Sequence, residues 1–179
     1  GAKAGNILTG GVEKMQAKPE SFALAPFWES LEHVGAPGGA ILKVNRALKK
    51  NGVVIIECPN YGSWERLPFG SRWFHLDPPR HLTHFTPAGL KHILNKNGFE
   101  VVAQKQLYAP EYTPVGLAQS ILYLVSPKLN LVANGDRGGG QFLMTAGVML
   151  LLLVVTVPLS VILYWVKASP ILLTVAKKH

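Results

Sequence analysis

Six side chains capable of chemistry fall within twelve residues of this chain: Trp73, His75, Asp77, Arg80, His81 and His84, in the run W-F-H-L-D-P-P-R-H-L-T-H. Histidine is the side chain whose ordinary titration lies near neutral pH, so it suits a general base that takes a proton from an acceptor group. His81 is the first candidate for that role, and His33, in the run L-E-H-V, the second. A guanidinium binds carboxylate or phosphate in a bidentate fork, which makes Arg80 a candidate substrate clamp; its plainer use is a surface ion pair with Asp77. Imidazoles and carboxylates are also zinc and iron ligands. Two prolines interrupt the His75-x-Asp77, His81, His84 set, however, and the stretch is read as holding no metal. His75 and His84 are taken instead as substrate-side residues, or as structural groups that cap the loop or tie it to the following helix. Asn60 orients a substrate or caps a turn. Trp28 and Trp73 wall an aromatic ring or simply fill the core.

The elements around this cluster set where it sits. Residues 53–58 are β-branched and apolar apart from Glu57, follow Gly52 and stop at Pro59-Asn60, the pattern of a buried parallel strand. The histidine-rich loop leaves the carboxyl end of that strand, where open α/β sheets bind their ligands. Residues 22–28 read as another strand, strained by Pro26, since proline removes a ladder hydrogen bond. Residues 5–9 read as a further short strand. Ile41, Val44 and Leu48 share one face of a helix spanning 38–50 and closed by Asn51-Gly52. Thr86-Pro87 starts a second helix as N-cap and first-turn proline, and Gly98 ends it. Residues 99–107 form the next strand. Helix, glycine and strand in repetition is the rhythm of an α/β sheet.

Composition divides the 179-residue chain. Five of the six histidines and most of the charge lie before residue 110, whereas residues 141–166 are 26 uncharged residues, enough to cross a bilayer core. Tyr164 and Trp165 end that run as an interfacial belt would, and Pro158 bends it. A second uncharged segment, 113–125, is too short to span. The net charge of +8 is spread out and interleaved with no aromatic stripe, which excludes a nucleic-acid partner and suits an anionic lipid surface. The single cysteine, Cys58, sits in the apolar strand and is read as an inert core thiol. With no signal peptide at Gly1, the chain reads as the later part of a longer protein.

Four ordered blocks carry a resemblance: F-A-L-A-P-F-W-E-S-L-E-H-V, A-P-G-G-A-I-L-K-V-N-R-A-L-K-K-N-G-V-V-I-I-E-C-P-N, W-F-H-L-D-P-P-R-H-L-T-H-F-T-P and N-G-F-E-V-V. Over residues 7–108 the chain resembles the second half of a class I S-adenosylmethionine-dependent methyltransferase, in the branch bearing L-E-H-V and P-R-H-L. The resemblance implies a partial Rossmann-like α/β sheet, contributing the third to seventh of the family's seven strands. The seventh is an antiparallel strand near residues 171–178, preceded by an apolar helical insertion. It implies S-adenosylmethionine as cofactor, with Gly11 and Trp28 on the cofactor side. The family's glycine-rich loop and ribose-binding acid find no match, and Ala23, Ala36 and Gly11 replace polar residues usual in the family, which implies weak cofactor binding by this chain. Domain limits follow at 1–110 for the methyltransferase half, 111–166 for the apolar insertion and 167–179 for the last strand and basic tail. The expected activity is O- or C-methylation of a small or lipid-linked acceptor at the cytoplasmic face of a membrane, held there by a monotopic or single-span tail. The alternatives are a non-catalytic membrane-associated remnant or interaction module, and a small integral membrane protein with a soluble cap.

Overall fold

The computed structural model describes residues 10–125 and 139–179. Within them lies a mixed α/β arrangement around one four-stranded sheet. The strands are β1 (Phe22–Trp28), β2 (Leu48–Pro59), β3 (Phe99–Leu107) and β4 (Ile171–Lys178), in the spatial order β1-β2-β4-β3. β1 and β2 run parallel, while β4 runs antiparallel to both β2 and β3. The chain's last strand thus inserts between strands placed much earlier, which is the antiparallel ending that the resemblance implies. The expected strand at 5–9 lies outside the described residues.

Helices α1 (Pro37–Ala47) and α2 (Pro87–Lys96) supply the covering layer. Ala40, Ile41 and Val44 of α1 and Leu90 and Leu94 of α2 pack on Val54, Ile56 and Cys58 of β2 and on Phe99, Leu172 and Ala176. α2 begins as its sequence dictates: the Thr86 side chain accepts a hydrogen bond from the Gly89 N–H, and Pro87 opens the first turn. Gly98 follows with φ +80°, the left-handed conformation glycine adopts without strain.

Two local readings need correction. The helix expected over 38–50 ends at Ala47, because Leu48 turns extended (φ −77°, ψ 141°) and pairs with Phe22. Asn51-Gly52 therefore forms an irregularity within β2 and does not cap a helix. Asn51 has φ +62°, and the β1–β2 register jumps there. A Cβ at position 52 would lie 2.8 Å from the Lys49 carbonyl oxygen, so the close approach requires glycine. Pro26, by contrast, is accommodated: among the described residues β1 has a partner on one side only, and proline is tolerated where no ladder hydrogen bond is needed.

The apolar segments form α3 (Thr113–Val125) and α4 (Gly139–Trp165), which pack on each other; Pro158 lies inside α4. α3 buries eight residues between Thr113 and Leu122, packed against α4 and against the loop between β2 and α2. It serves as a cover on that loop as well as an apolar helix. α4 leaves Leu150, Leu151, Val154, Val155, Ile162 and Trp165 exposed.

Candidate active-site cleft

The parallel strands β1 and β2 end on the same edge of the sheet, and there the chain opens a cleft of about 350 Å³. Trp28, Glu29, Glu32, His33, Glu57, Asp77, Arg80, His81, Glu111 and Tyr112 are among its lining residues. Three segments bring them together. β1 stops at Trp28, and Glu29 follows in the left-handed region (φ +42°) with its N–H bonded to the Glu57 carbonyl. A single 3-10 turn, Leu31–His33, then presents Glu32 and His33. The long loop leaves β2 at Asn60 and returns at Phe85, where Tyr61 N–H donates to the Phe85 carbonyl and Asn60 bridges Phe85 in parallel. Its returning limb is laced to the turn: Leu82 and Thr83 N–H both donate to the Glu32 carbonyl.

This lacing fixes both imidazoles. Nδ1 of His33 lies 2.9 Å from the Arg80 carbonyl oxygen, and Nδ1 of His81 lies 2.9 Å from the His75 carbonyl oxygen. A carbonyl only accepts, so each Nδ1 carries a proton, and in the neutral ring it is Nε2 that keeps the lone pair. The free nitrogens face carboxylates: His33 Nε2 is 3.7 Å from Glu32 Oε1, and His81 Nε2 is 3.8 Å from Asp77 Oδ2. The two rings meet edge to face with centroids 4.8 Å apart. Partial burial holds the His81 pKa below the usual histidine value.

The cleft also concentrates acid. Glu32 is 1% exposed, and neither of its carboxylate oxygens has a hydrogen-bond partner; Glu29 Oε1 is likewise unpartnered. Burial, reinforced by Glu32 and Glu57, pushes the Glu29 carboxyl up to about 8. Burial also raises Glu32 and Glu57 above the ordinary carboxylate range. Arg80 balances only Asp77, at 2.6 Å.

The expected site residues divide. His33, His81, Arg80 and Trp28 line the cleft, and Trp28 is 63% exposed at its rim. Arg80 is held by Asp77, the ion pair weighed against a substrate clamp. His84 is exposed, stacks on Tyr61, and its ring lies 6.4 Å from that of His81. Three others are occupied elsewhere. Asn60 is fully buried: its N–H donates to the Pro170 carbonyl, its amide nitrogen to Ser169, and its side-chain oxygen accepts from Gly62 N–H. That is the turn-capping use. Trp73 is core, packed with Phe69 and Leu117, its Nε1–H donating to Glu65. His75 is fully buried beneath α3, so no acceptor reaches it. Gly11 is exposed beside a 3-10 turn and does not line the cleft.

Sequence reasoning passed over Glu29, Glu32 and Glu111. The signal for the first two lay in E-S-L-E-H, two acids three apart before a histidine at the end of a strand. Glu57, noted as the one charged residue of its strand, lies beside them, its carbonyl accepting from Glu29 N–H. A larger groove of about 570 Å³, lined by Pro87, Gln104, Lys105, Tyr164, Trp165 and Lys167, lies apart from these acids and imidazoles.

No curated protein sequence matches the chain. Solved structures match in fold: an S-adenosylmethionine-dependent methyltransferase from Archaeoglobus fulgidus (18% identity, TM-score 0.55, 97% of this chain and 67% of that one) is one of them. Another is phosphoethanolamine N-methyltransferase 2 of Haemonchus contortus in complex with S-adenosyl-L-methionine (14%, TM-score 0.52, 94% and 36%). A third is the [4+2]-cyclase SpnF (17%, TM-score 0.53, 94% and 54%). The chain thus spans only part of each: 54% of SpnF, 67% of the Archaeoglobus protein and 36% of the Haemonchus enzyme. The sequence profile of the family described as "Methyltransferase domain" matches residues 7–104, more than half of the chain. The chain belongs to that family of S-adenosylmethionine-dependent methyltransferases.

Proposed function

We propose that this chain forms the acceptor side of a methyltransferase acting on a small or lipid-linked acceptor, with transfer to oxygen or carbon. The observation that carries the reading is the pair of imidazoles at the carboxyl edge of β1 and β2, each with Nδ1 bonded to a carbonyl and Nε2 free. The residues at this edge fit the cofactor. Its sulfonium is a cation, and the cleft offers an unpartnered Glu29 oxygen and the exposed face of Trp28. Glu29 and Trp28 would hold it. When bound, S-adenosylmethionine supplies an electrophilic methyl group; the protein has to align an acceptor and remove its proton. His81 Nε2 takes that proton, with His33 as the neighbouring alternative. The laced loop keeps both nitrogens in place before substrate arrives, and Tyr112 and Glu111 close the opposite wall.

An amphiphilic acceptor follows from the tail. Residues 146–165 form a helix long and apolar enough to cross a membrane, with an exposed apolar surface. At its end, Tyr164 and Trp165 share a groove with Lys105 and Lys167, the aromatic-and-cationic pairing suited to a headgroup layer. The reading places the protein at the cytoplasmic face, through one span or a re-entrant helix. A non-catalytic module is the second reading; Asn60, Trp73 and His75, all spent on structure, favour it.

The test is transfer of tritiated methyl from S-adenosylmethionine by the natural polypeptide carrying this sequence, incubated with a membrane lipid extract. Label in the organic phase that requires the protein supports an amphiphilic acceptor. Label only in water-soluble products removes the lipid-linked substrate, and no label at all leaves the non-catalytic module.

A further inference from the structure

The cleft contains a second arrangement that methyl transfer does not call for. Glu32 is almost completely buried, and both its oxygens lack a partner. An unpaired carboxylate in that position costs several kcal/mol unless it takes up a proton or something positive sits beside it. Arg80, the one arginine or lysine lining the cleft among the described residues, is bound to Asp77 and 61% exposed. The groups that do approach Glu32 are the two imidazoles: one ligand atom each from Glu32, His33 and His81 lie within 4.8 Å of one another. Backbone carbonyls hold the Nδ1 protons of both rings, leaving two Nε2 lone pairs. Orientation by a carbonyl on the far nitrogen is how proteins prepare metal-binding histidines.

We infer that Glu32, His33 and His81 form a binding site for a divalent first-row transition-metal cation such as zinc. Two imidazoles and one carboxylate are a donor set suited to zinc, iron or cobalt, and unsuited to magnesium or calcium, which prefer oxygen. The donor atoms need to contract toward a shared centre, since zinc sits about 2.0–2.2 Å from nitrogen and oxygen ligands. Backbone hydrogen bonds join the turn carrying Glu32 and His33 to the loop carrying His81, so the contraction falls to the side chains. Three protein ligands leave coordination positions open, and they open into the same cleft, beside Asp77 and Tyr112. Metal binding occupies both Nε2 lone pairs, so it is an alternative state of the cleft to the one in which His81 Nε2 accepts the proton. An acceptor hydroxyl bound to the cation would give up its proton more readily, to solvent in the open cleft. This set differs from the His75-x-Asp77, His81, His84 set visible in sequence, of which only His81 takes part. His75 is sealed beneath α3, and His84 is stacked on Tyr61.

The metal site rests on side-chain geometry and not on methyl transfer, so its test is direct binding. Zinc affinity is measured on the untagged protein by competition with a chromophoric chelator, and cobalt is used as an optical probe. Glu32→Gln and His81→Asn should each weaken binding by more than about tenfold, the least that loss of supporting groups costs. His92→Asn, on an exposed face of α2, should change nothing. Cobalt should give the intense visible bands of a low-coordinate site, and zinc should raise the melting temperature of wild type but not of Glu32→Gln. His33→Asn, at a partly exposed position, guards against misfolding: it should also weaken binding with the fold intact. Wild-type affinity in all three ligand variants, or a cobalt spectrum of the hydrated ion, would overturn the assignment.

Discussion

The imidazole Nδ1 of His33 lies 2.9 Å from the carbonyl oxygen of Arg80, forty-seven residues further along the chain. This bond joins the turn after β1 to the loop after β2, and the Leu82 and Thr83 N–H groups, both donating to the Glu32 carbonyl, complete the seam. The cleft is therefore built as one piece. His33→Ala should loosen it at the neighbouring amides. Hydrogen exchange at Leu82 and Thr83 should accelerate about fivefold, the effect of roughly 1 kcal/mol for one hydrogen bond. Unchanged exchange there would show that the seam does not depend on His33.

Glu65 and His75 face each other at 4.0 Å, both sealed from solvent. They do not form an ion pair at neutral pH. Burial lowers the His75 pKa to about 3, with His81 adding to it, so the ring is neutral; burial raises the Glu65 carboxyl to about 7. Glu65 is an acid raised on folding, so its contribution is full below its unfolded value of 4.5 and is lost as pH rises to about 7. His75 acts in the other sense: its contribution is present above 6.5 and lost as pH falls toward 3. Glu65→Gln retains an oxygen for the Trp73 Nε1–H and abolishes the first titration. Its melting temperature relative to wild type should rise between pH 4.5 and 7 and then level off. A constant difference across that range would show that Glu65 is not a buried protonated acid.

Gly116 lets α3 settle on the histidine loop. A Cβ there would stand 2.6 Å from His75 Nε2 and 3.2 Å from Phe74 Cδ1. Gly116→Ala should destabilise the fold by about 1–3 kcal/mol, the range for overpacking in a closed site. Chemical denaturation monitored through Trp73 fluorescence would measure it. Gly147, whose Cβ would meet nothing within 4 Å, is the control and should tolerate alanine.

The exposed apolar face of α4 predicts retention in membranes. The protein should stay in the pellet on carbonate extraction, whereas a form merely adsorbed through its basic charge should be released. Leu151→Lys introduces a charge that costs about 2.5–3.5 kcal/mol at the centre of a membrane helix. It should shift the protein measurably toward the supernatant. Full release of wild type would place α4 outside the bilayer.

Much of this fold was legible because its elements announce themselves locally. Thr86-Pro87 and Gly98 bracket α2 with capping chemistry, and the strand at 99–107 coincides with β3. The error at the end of α1 shows the limit. Leu48 continues the helical apolar spacing, yet pairing with Phe22 outweighs that preference, and no local pattern reports a partner twenty-six residues away. The site divides in the same way. His33 and His81 could be picked by type and position at strand ends. That Trp73 and His75 face the interior depends on α3 lying across the loop, a tertiary contact made by residues forty positions later. Glu32 escaped notice because an acid beside a histidine reads as a solvated turn until burial removes its water.

In the proposed reaction His81 is the cleft residue that acts on the acceptor, in contrast to His84 three positions on, which stacks on Tyr61 outside the cleft lining. The direct measurement is the rate of S-adenosylmethionine-dependent methyl transfer by His81→Ala and His84→Ala forms of the natural polypeptide. His81→Ala should lose about two to four orders of magnitude, and His84→Ala should stay within a few fold of wild type. A His81→Ala enzyme as fast as wild type would contradict the account.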